Sequence, residues 1–233
     1  MSGEKRGQAP TDSRDFSGQA LPLLRKAADD IVDLLDRGYP IRSVCDFVGN
    51  HYQLSARQRL ALARSLASSA SLKTRREKEE SPEDLAGKTV RIDGFNQIIT
   101  IEIALCGSPL FLGMDGAVRD LAGLHGTYHT IRQTKRAAEE IFRILDEAGA
   151  AVAVFYLDKP VSNSGRLKTV IADAHEGFRV GLDFQVIRDV DAALSESEHV
   201  ITSDSVILDR CRSWCSIGRI ITERLGSEPI RLF

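Results

Sequence analysis

Lys88-Thr89-Val90-Arg91-Ile92-Asp93-Gly94-Phe95-Asn96 joins a short strand to a buried segment through a single acid. Thr89 to Ile92 is a short β-rich run that ends abruptly in an acid, a glycine and an amide. Ile98, Ile99, Ile101, Ile103 and Leu105 follow at once, too dense an apolar set for a surface segment. A strand that delivers a carboxylate into a turn, followed by a buried segment, is how open α/β sheets build sites at their carboxyl edge. Gly94 lets the backbone turn sharply without a steric penalty. Taken alone, Asp93 reads equally as a cap of the next element.

A second such stretch lies near the other end of the chain. His199 to Thr202 reads as a strand, Ser203-Asp204-Ser205 as its turn, and Val206 to Cys211 as the helix behind it. Between the two, Thr130 to Ala148 carries Ile131, Ala138, Ile141, Phe142 and Leu145 at helical spacing and stops at Gly149. Ala151 to Leu157 is a continuous apolar run of the kind buried in parallel sheets, cut off by Asp158 and Pro160. Leu167 to Ala174 and Asp191 to Ser197 read as helices, and Phe178 to Ile187 as a strand. Pro109 to Leu121 reads as an inserted hairpin around Asp115-Gly116, with Asp115 a turn residue. Strands alternating with helices predict an α/β fold with a mainly parallel, open sheet flanked by helices.

Upstream of this the pattern changes. Leu24, Ala27, Ala28, Ile31, Leu34 and Leu35 recur at helical steps and Gly38 ends them; Pro40 and Ser55 open two further helices. Residues 17–75 are therefore expected to form a small all-α helical domain, residues 76–87 a charged linker, and residues 88–233 the α/β domain. Residues 1–16, rich in Gly, Ser, Asp, Lys and Arg, read as a disordered tail. Cys45 to Leu62 has the outline of a helix-turn-helix, with Arg57, Arg59 and Arg64 either a nucleic-acid face or a solvated one.

Over 233 residues the formal charge is −2, which excludes a uniformly basic nucleic-acid binder and leaves room for local patches. Four cysteines without C-x-x-C spacing or nearby histidines read as reduced thiols of a cytoplasmic protein. No run approaches the ~20 apolar residues of a membrane span, and the amino-terminus has no apolar signal core.

Three expected strands end in an acid: Asp93, Asp158 and Asp204. On one edge of a parallel sheet they converge, and converging carboxylates repel unless a cation neutralises them. Their oxygens suit hard ions such as Mg2+ or Mn2+, which activate water and steady a leaving oxygen at a phosphodiester. The loop from Asp158 to Arg166 adds Ser162, Asn163 and Ser164, small polar residues whose N–H groups suit a phosphate, with Arg166 as a bidentate partner. The same loop reads equally as simple helix capping. His125, Tyr128, His129 and Arg132 are either RNA contacts or a solvated helix start, and Trp214 reads as core.

The strand-Asp-Gly-Phe-Asn opening, with Thr202-Ser203-Asp204-Ser205-Val206-Ile207-Leu208-Asp209, resembles the PIN-like nuclease superfamily, especially its NYN branch. The resemblance covers about Lys88 to Leu225. The whole chain is also similar to an uncharacterised prokaryotic family that joins such a domain to a helical leader. The PIN-like resemblance implies RNA cleavage with Mg2+ or Mn2+, Asp93 and Asp204 as the first and last metal-binding acids, and Asn96 as the first-turn amide. Ser203 would then face substrate, and Asp209 would be an extra acid on the final helix. The family's middle acid has no clear counterpart, since Glu139 and Glu140 lack its motif; Asp120 is the candidate replacement. That gap leaves a second reading open, a catalytically inactive RNA-binding or scaffold protein that kept the fold. A homo-oligomer is compatible with either.

Overall fold

The structure is a computed structural model that describes residues 6–123, 128–159 and 163–233. Its chain begins with α1 (Asp12–Asp15), α2 (Leu21–Asp36), α3 (Ile41–His51), α4 (Ala56–Ser65) and α5 (Ser69–Glu77). Leu24, Ala27, Ala28 and Ile31 form the buried stripe of α2, as their spacing predicts. Ser55 caps α4 in a reciprocal capping box with Gln58. Next come β1 (Glu79–Glu80), a 3-10 turn at Pro82–Leu85, β2 (Thr89–Asp93) and α6 (Gly94–Leu105). The hairpin strands β3 (Phe111–Leu112) and β4 (Val118–Arg119) lead to α7 (Thr134–Glu147), β5 (Val152–Asp158), α8 (Ser164–Ala174) and β6 (Gly181–Ile187). The chain closes with α9 (Val190–Leu194), β7 (Val200–Ile201), α10 (Ser205–Arg210), β8 (Trp214–Cys215), α11 (Ile217–Arg224) and β9 (Ile230–Arg231).

Among the described residues six strands form one sheet in the order β1-β8-β7-β2-β5-β6, and every pairing in it is parallel. The expected α/β class with a helical region ahead of it is what folds. Alternation along β5 sorts side chains to two cores. Ala153, Phe155 and Leu157 join the core formed with α6, α7, α8 and α11, while Tyr156 packs on the opposite one with Val190, Leu194, Ile207 and Trp214. Trp214 is fully buried, as read from sequence, and its indole N–H donates to the Arg75 carbonyl at 2.8 Å.

The sheet reverses its direction of growth at β2. From β2 the chain adds β5 and then β6 on one side, and later β7 and β8 on the other. Strand order therefore switches between β2 and β7, and open α/β sheets bind ligands in the crevice outside the carboxyl ends at that point. Gly94 has a different reason from the expected turn. A Cβ there would lie 2.6 Å from Leu157 Cδ2 and 2.9 Å from the Tyr156 carbonyl oxygen, so only glycine lets α6 start tight against β5.

Three expectations outside the sheet are corrected. Residues 6–16, expected as a disordered tail, are ordered from Arg6, because their polar groups are consumed in ion pairs. Asp12 pairs with Arg57 at 2.8 Å, and Arg6 pairs with the fully buried Glu102. The 76–87 linker is built into the sheet: β1 pairs with β8 through Glu79↔Trp214 and Glu80↔Cys215. The helical region is not separate from the rest, because its core of Leu24, Ile31, Val44 and Leu62 continues into Phe111, Leu121 and Leu232. Phe111 belongs to a second, three-stranded sheet ordered β4-β3-β9, so the expected hairpin serves as the floor of the bundle. Among the described residues no helix is long and apolar enough to cross a membrane.

Candidate active site

Asp93 ends β2 and stands at the N-cap of α6. Register places Ile92 beside Ile201, so Thr202 follows next to Asp93, and its Oγ1 donates to Asp93 Oδ2 at 2.8 Å. The same hydroxyl accepts the Asp204 N–H at 3.0 Å. Asn96, one turn into α6, accepts both the Ser203 N–H and the Ser203 Oγ–H at 2.9 Å. The first strand-turn and the last are thus tied across the switch point by three hydrogen bonds, and the Asp204–Thr202 bond closes the last turn on itself. Asp204 Oδ1 accepts from the Val206 N–H at 2.7 Å and caps α10.

A cavity of about 200 Å³ opens over this seam. Five carboxylates line it: Asp93, Asp120, Asp158, Asp191 and Asp204, with Asn96 and Ser203 between them. Asp93 is 8% exposed, and burial pushes its pKa up to about 7; the charges of Asp204 and Asp191 add to the rise, while the Thr202 hydroxyl and the Asn96 backbone N–H offset part of it. Two arginines share the wall. Arg119 donates from Nε to the Ser203 carbonyl at 2.8 Å and from both terminal nitrogens to Asp115. Arg64, at the end of α4, donates to the Asp120 carbonyl and lies 3.6 Å from its carboxylate.

The structure thus brings together Asp93, Asn96, Asp120, Asp158, Ser203 and Asp204. It does not bring in Asp209, which is held by Arg75 at 2.7 Å outside the cavity, so its expected part in metal binding is corrected. Nor do Asn163, Ser164 and Arg166, the described members of the expected phosphate set, line the cavity. Asn163 is in the left-handed conformation at φ 67° and donates from Nδ2 to the Tyr128 carbonyl at 2.8 Å. Ser164 is buried at the start of α8, Arg166 is exposed beyond it, and Ser162 lies outside the described residues. His125 also lies outside them; Tyr128 is core, bonded to Glu102 at 2.9 Å. The helix-turn-helix outline loses two of its three arginines, because Arg57 bonds Asp12, Gly7 and Leu121, and Arg59 bonds Leu54 and Asn50; Arg64 turns to the cavity instead. Asp115 is more than a turn residue: its side chain is 1% exposed and pairs with Arg75 and Arg119, each at 2.6 Å.

Sequence reading missed Asp191 and Arg119, and it set Arg64 on a helix-turn-helix face or a solvated one, not at this crevice. Asp191 sits in a short helix without a motif, and the two arginines reach the site from elements outside the parallel sheet. Among the described residues no three acid, imidazole or thiol side chains are gathered as a closed metal site.

Fold and site define an α/β protein with a carboxylate-lined crevice at the switch point of a parallel sheet. The chain belongs to the family of the domain of unknown function DUF5616, whose profile matches residues 82–220. Residues 23–78 match a second family, the protein of unknown function DUF434. The chain is 34% identical over 185 residues to the uncharacterized protein MJ0935 of Methanocaldococcus jannaschii, an alignment that covers 79% of this chain and 88% of that protein. No solved structure matches.

Proposed function

We propose that the crevice is the active centre of a metal-dependent ribonuclease of the PIN-like, NYN type. The observation that carries the reading is the position of Asp93 and Asp204 on either side of the switch point, tied through Thr202, with Asp93 buried among like charges. Such a carboxylate group suits a hard divalent cation. Mg2+ is commonly held by one or two carboxylates, its other positions going to water and substrate phosphate, so an open set of donors fits it without a closed three-ligand cage. Asp93 and Asp204 would hold Mg2+ or Mn2+, with Asp158 or Asp191 next to them. The ion would supply an activated water and neutralise charge at the cleaved phosphodiester.

The chain's own residues do the positioning. Thr202 fixes the rotation of the Asp93 carboxylate, and Asn96 locks the Ser203 turn so that Asp204 keeps its distance from Asp93. Arg119 holds the Ser203 carbonyl from the other side. Asp93, its pKa pushed up to about 7 by burial, would have to be deprotonated to hold the cation, so metal affinity would rise with pH through that range. A cytoplasmic location belongs to the same proposal and is supported by four free thiols.

A second reading is favoured by one observation, the lack of three gathered metal-binding side chains among the described residues. On that reading the crevice binds RNA without cutting it. Calorimetric Mn2+ binding beside cleavage of an RNA panel separates the two. The nuclease reading requires both activities in the parent and their joint loss in Asp93→Asn and Asp204→Asn. It is wrong if both variants bind metal and cut RNA as the parent does. RNA binding without any cleavage favours the second reading.

A further inference from the structure

We propose that Arg64, carried to the crevice by the helical region, binds a non-bridging phosphate oxygen of a single-stranded RNA chain beside the acids; this rests on the ribonuclease reading above. A phosphodiester entering a cavity lined by five carboxylates meets repulsion that one divalent cation offsets only in part. A second positive group on the wall completes the match. Two guanidinium groups line the cavity, and they differ in their commitments. The Arg119 side chain is 6% exposed and spends its donors on Asp115 and Ser203. The Arg64 side chain is 34% exposed and spends Nη1 on the Asp120 carbonyl. Among the described residues its Nε and Nη2 make no hydrogen bond.

The position of Arg64 is built rather than incidental. α4 is docked along the hairpin at both ends: Arg57 Nη1 donates to the Leu121 carbonyl at 2.6 Å, and the Met114 N–H donates to the Ser65 carbonyl at 2.8 Å. Asp120, expected from sequence as a substitute metal ligand, is held instead by Thr100 Oγ1 at 3.1 Å and the Ala122 N–H at 2.7 Å, and it faces Arg64. Asp120 is therefore a positioning residue that keeps the guanidinium at the rim. A cavity of about 200 Å³ with Ala63 and Arg64 of α4 on its wall admits one phosphodiester and part of a flanking nucleoside, which points to a single strand rather than a duplex. The helical region thereby belongs to the substrate site.

The test is anisotropy titration of a labelled 12-nucleotide single-stranded RNA, with calcium as the divalent ion and at several salt concentrations. It uses the full chain as parent, Arg64→Ala, Arg64→Lys and Arg64→Gln. Arg64→Ala should weaken binding about tenfold and make the log–log salt slope shallower by about one, the signature of one lost phosphate contact. Arg64→Lys should recover part of the affinity and all of the slope. Mn2+ affinity, read by calorimetry, should stay level or tighten, which a merely structural defect would not produce. Arg64→Gln keeps a donor for the Asp120 carbonyl and carries the same expectation should Arg64→Ala fold poorly. Parent-like affinity and slope in Arg64→Ala and Arg64→Gln, while the parent binds both Mn2+ and RNA, overturn this inference and leave the nuclease reading standing. A parent that binds neither overturns both.

Discussion

Replacing Asp93 with Asn keeps the shape of the side chain and its acceptor for Thr202, but removes a charge that burial disfavours. The unfolded carboxyl titrates near 3.8 and the folded one near 7. Between those values the native state holds the proton more tightly, so the stability of the parent falls as pH rises through that window. Below 3.8 the group is neutral in both states and costs nothing; above 7 the whole penalty is present. About three pH units correspond to roughly 4 kcal/mol at most. In a chain of this length that is on the order of 10 °C in melting temperature. Asn is neutral throughout, so Asp93→Asn should match the parent near pH 3.5 and exceed it increasingly up to pH 8. Urea unfolding of both proteins across that range measures the divergence. Mn2+ at about 100 times its dissociation constant should return roughly 2.7 kcal/mol to the parent and nothing to the variant. Parallel curves, or a variant less stable than the parent above pH 7, would mean that burial of the Asp93 charge costs the fold nothing.

Asp115→Asn should cost about 3 kcal/mol, because it leaves Arg75 and Arg119 buried with one shared counter-charge removed; Asp209→Asn, at the 42% exposed partner of Arg75, should cost less than about 1 kcal/mol. Equal effects in urea unfolding would contradict that ranking. Glu102→Gln should cost about 3 kcal/mol and speed amide exchange over residues 6–16, since it strands the buried Arg6 guanidinium; unchanged exchange there would show that the pair does not hold the arm. Trypsin should not cut within residues 76–87 before global unfolding, because β1 is paired in the sheet; early cleavage there would return the segment to a linker. Asp204→Asn retains an acceptor for α10 and should stay within about 1 kcal/mol of the parent while Mn2+ affinity falls, and adding Asp93→Asn should lower activity little further.

Local chemistry made Asp93, Asn96 and Asp204 legible, because an acid closing a β-rich run and opening a buried helix is a pattern confined to a few neighbouring residues. Apolar periodicity likewise marked α2, α7 and β5. What escaped depended on partners far away in the chain. Asp115-Gly116 carries a turn signal whatever else Asp115 does, and Arg75 comes to it from 40 residues away. The polar first residues read as tail because composition counts charges without their counter-charges, and Arg6 meets Glu102 across 96 residues. Asp209 misled for a geometric reason. Five residues beyond Asp204 a helix has rotated by about 500°, or roughly 140° past a full turn, so the two acids cannot face the same way. Asp209 turns to Arg75, outside the crevice, while Asp191, with no motif of its own, reaches the crevice because β6 returns the chain to the same carboxyl edge. Strand order, which no local motif encodes, therefore decides which of this chain's acids share one field. The hairpin outside that sheet is what docks α4 at the crevice, so an acid cluster read from the sheet alone lacks Arg64, the cation on its own rim.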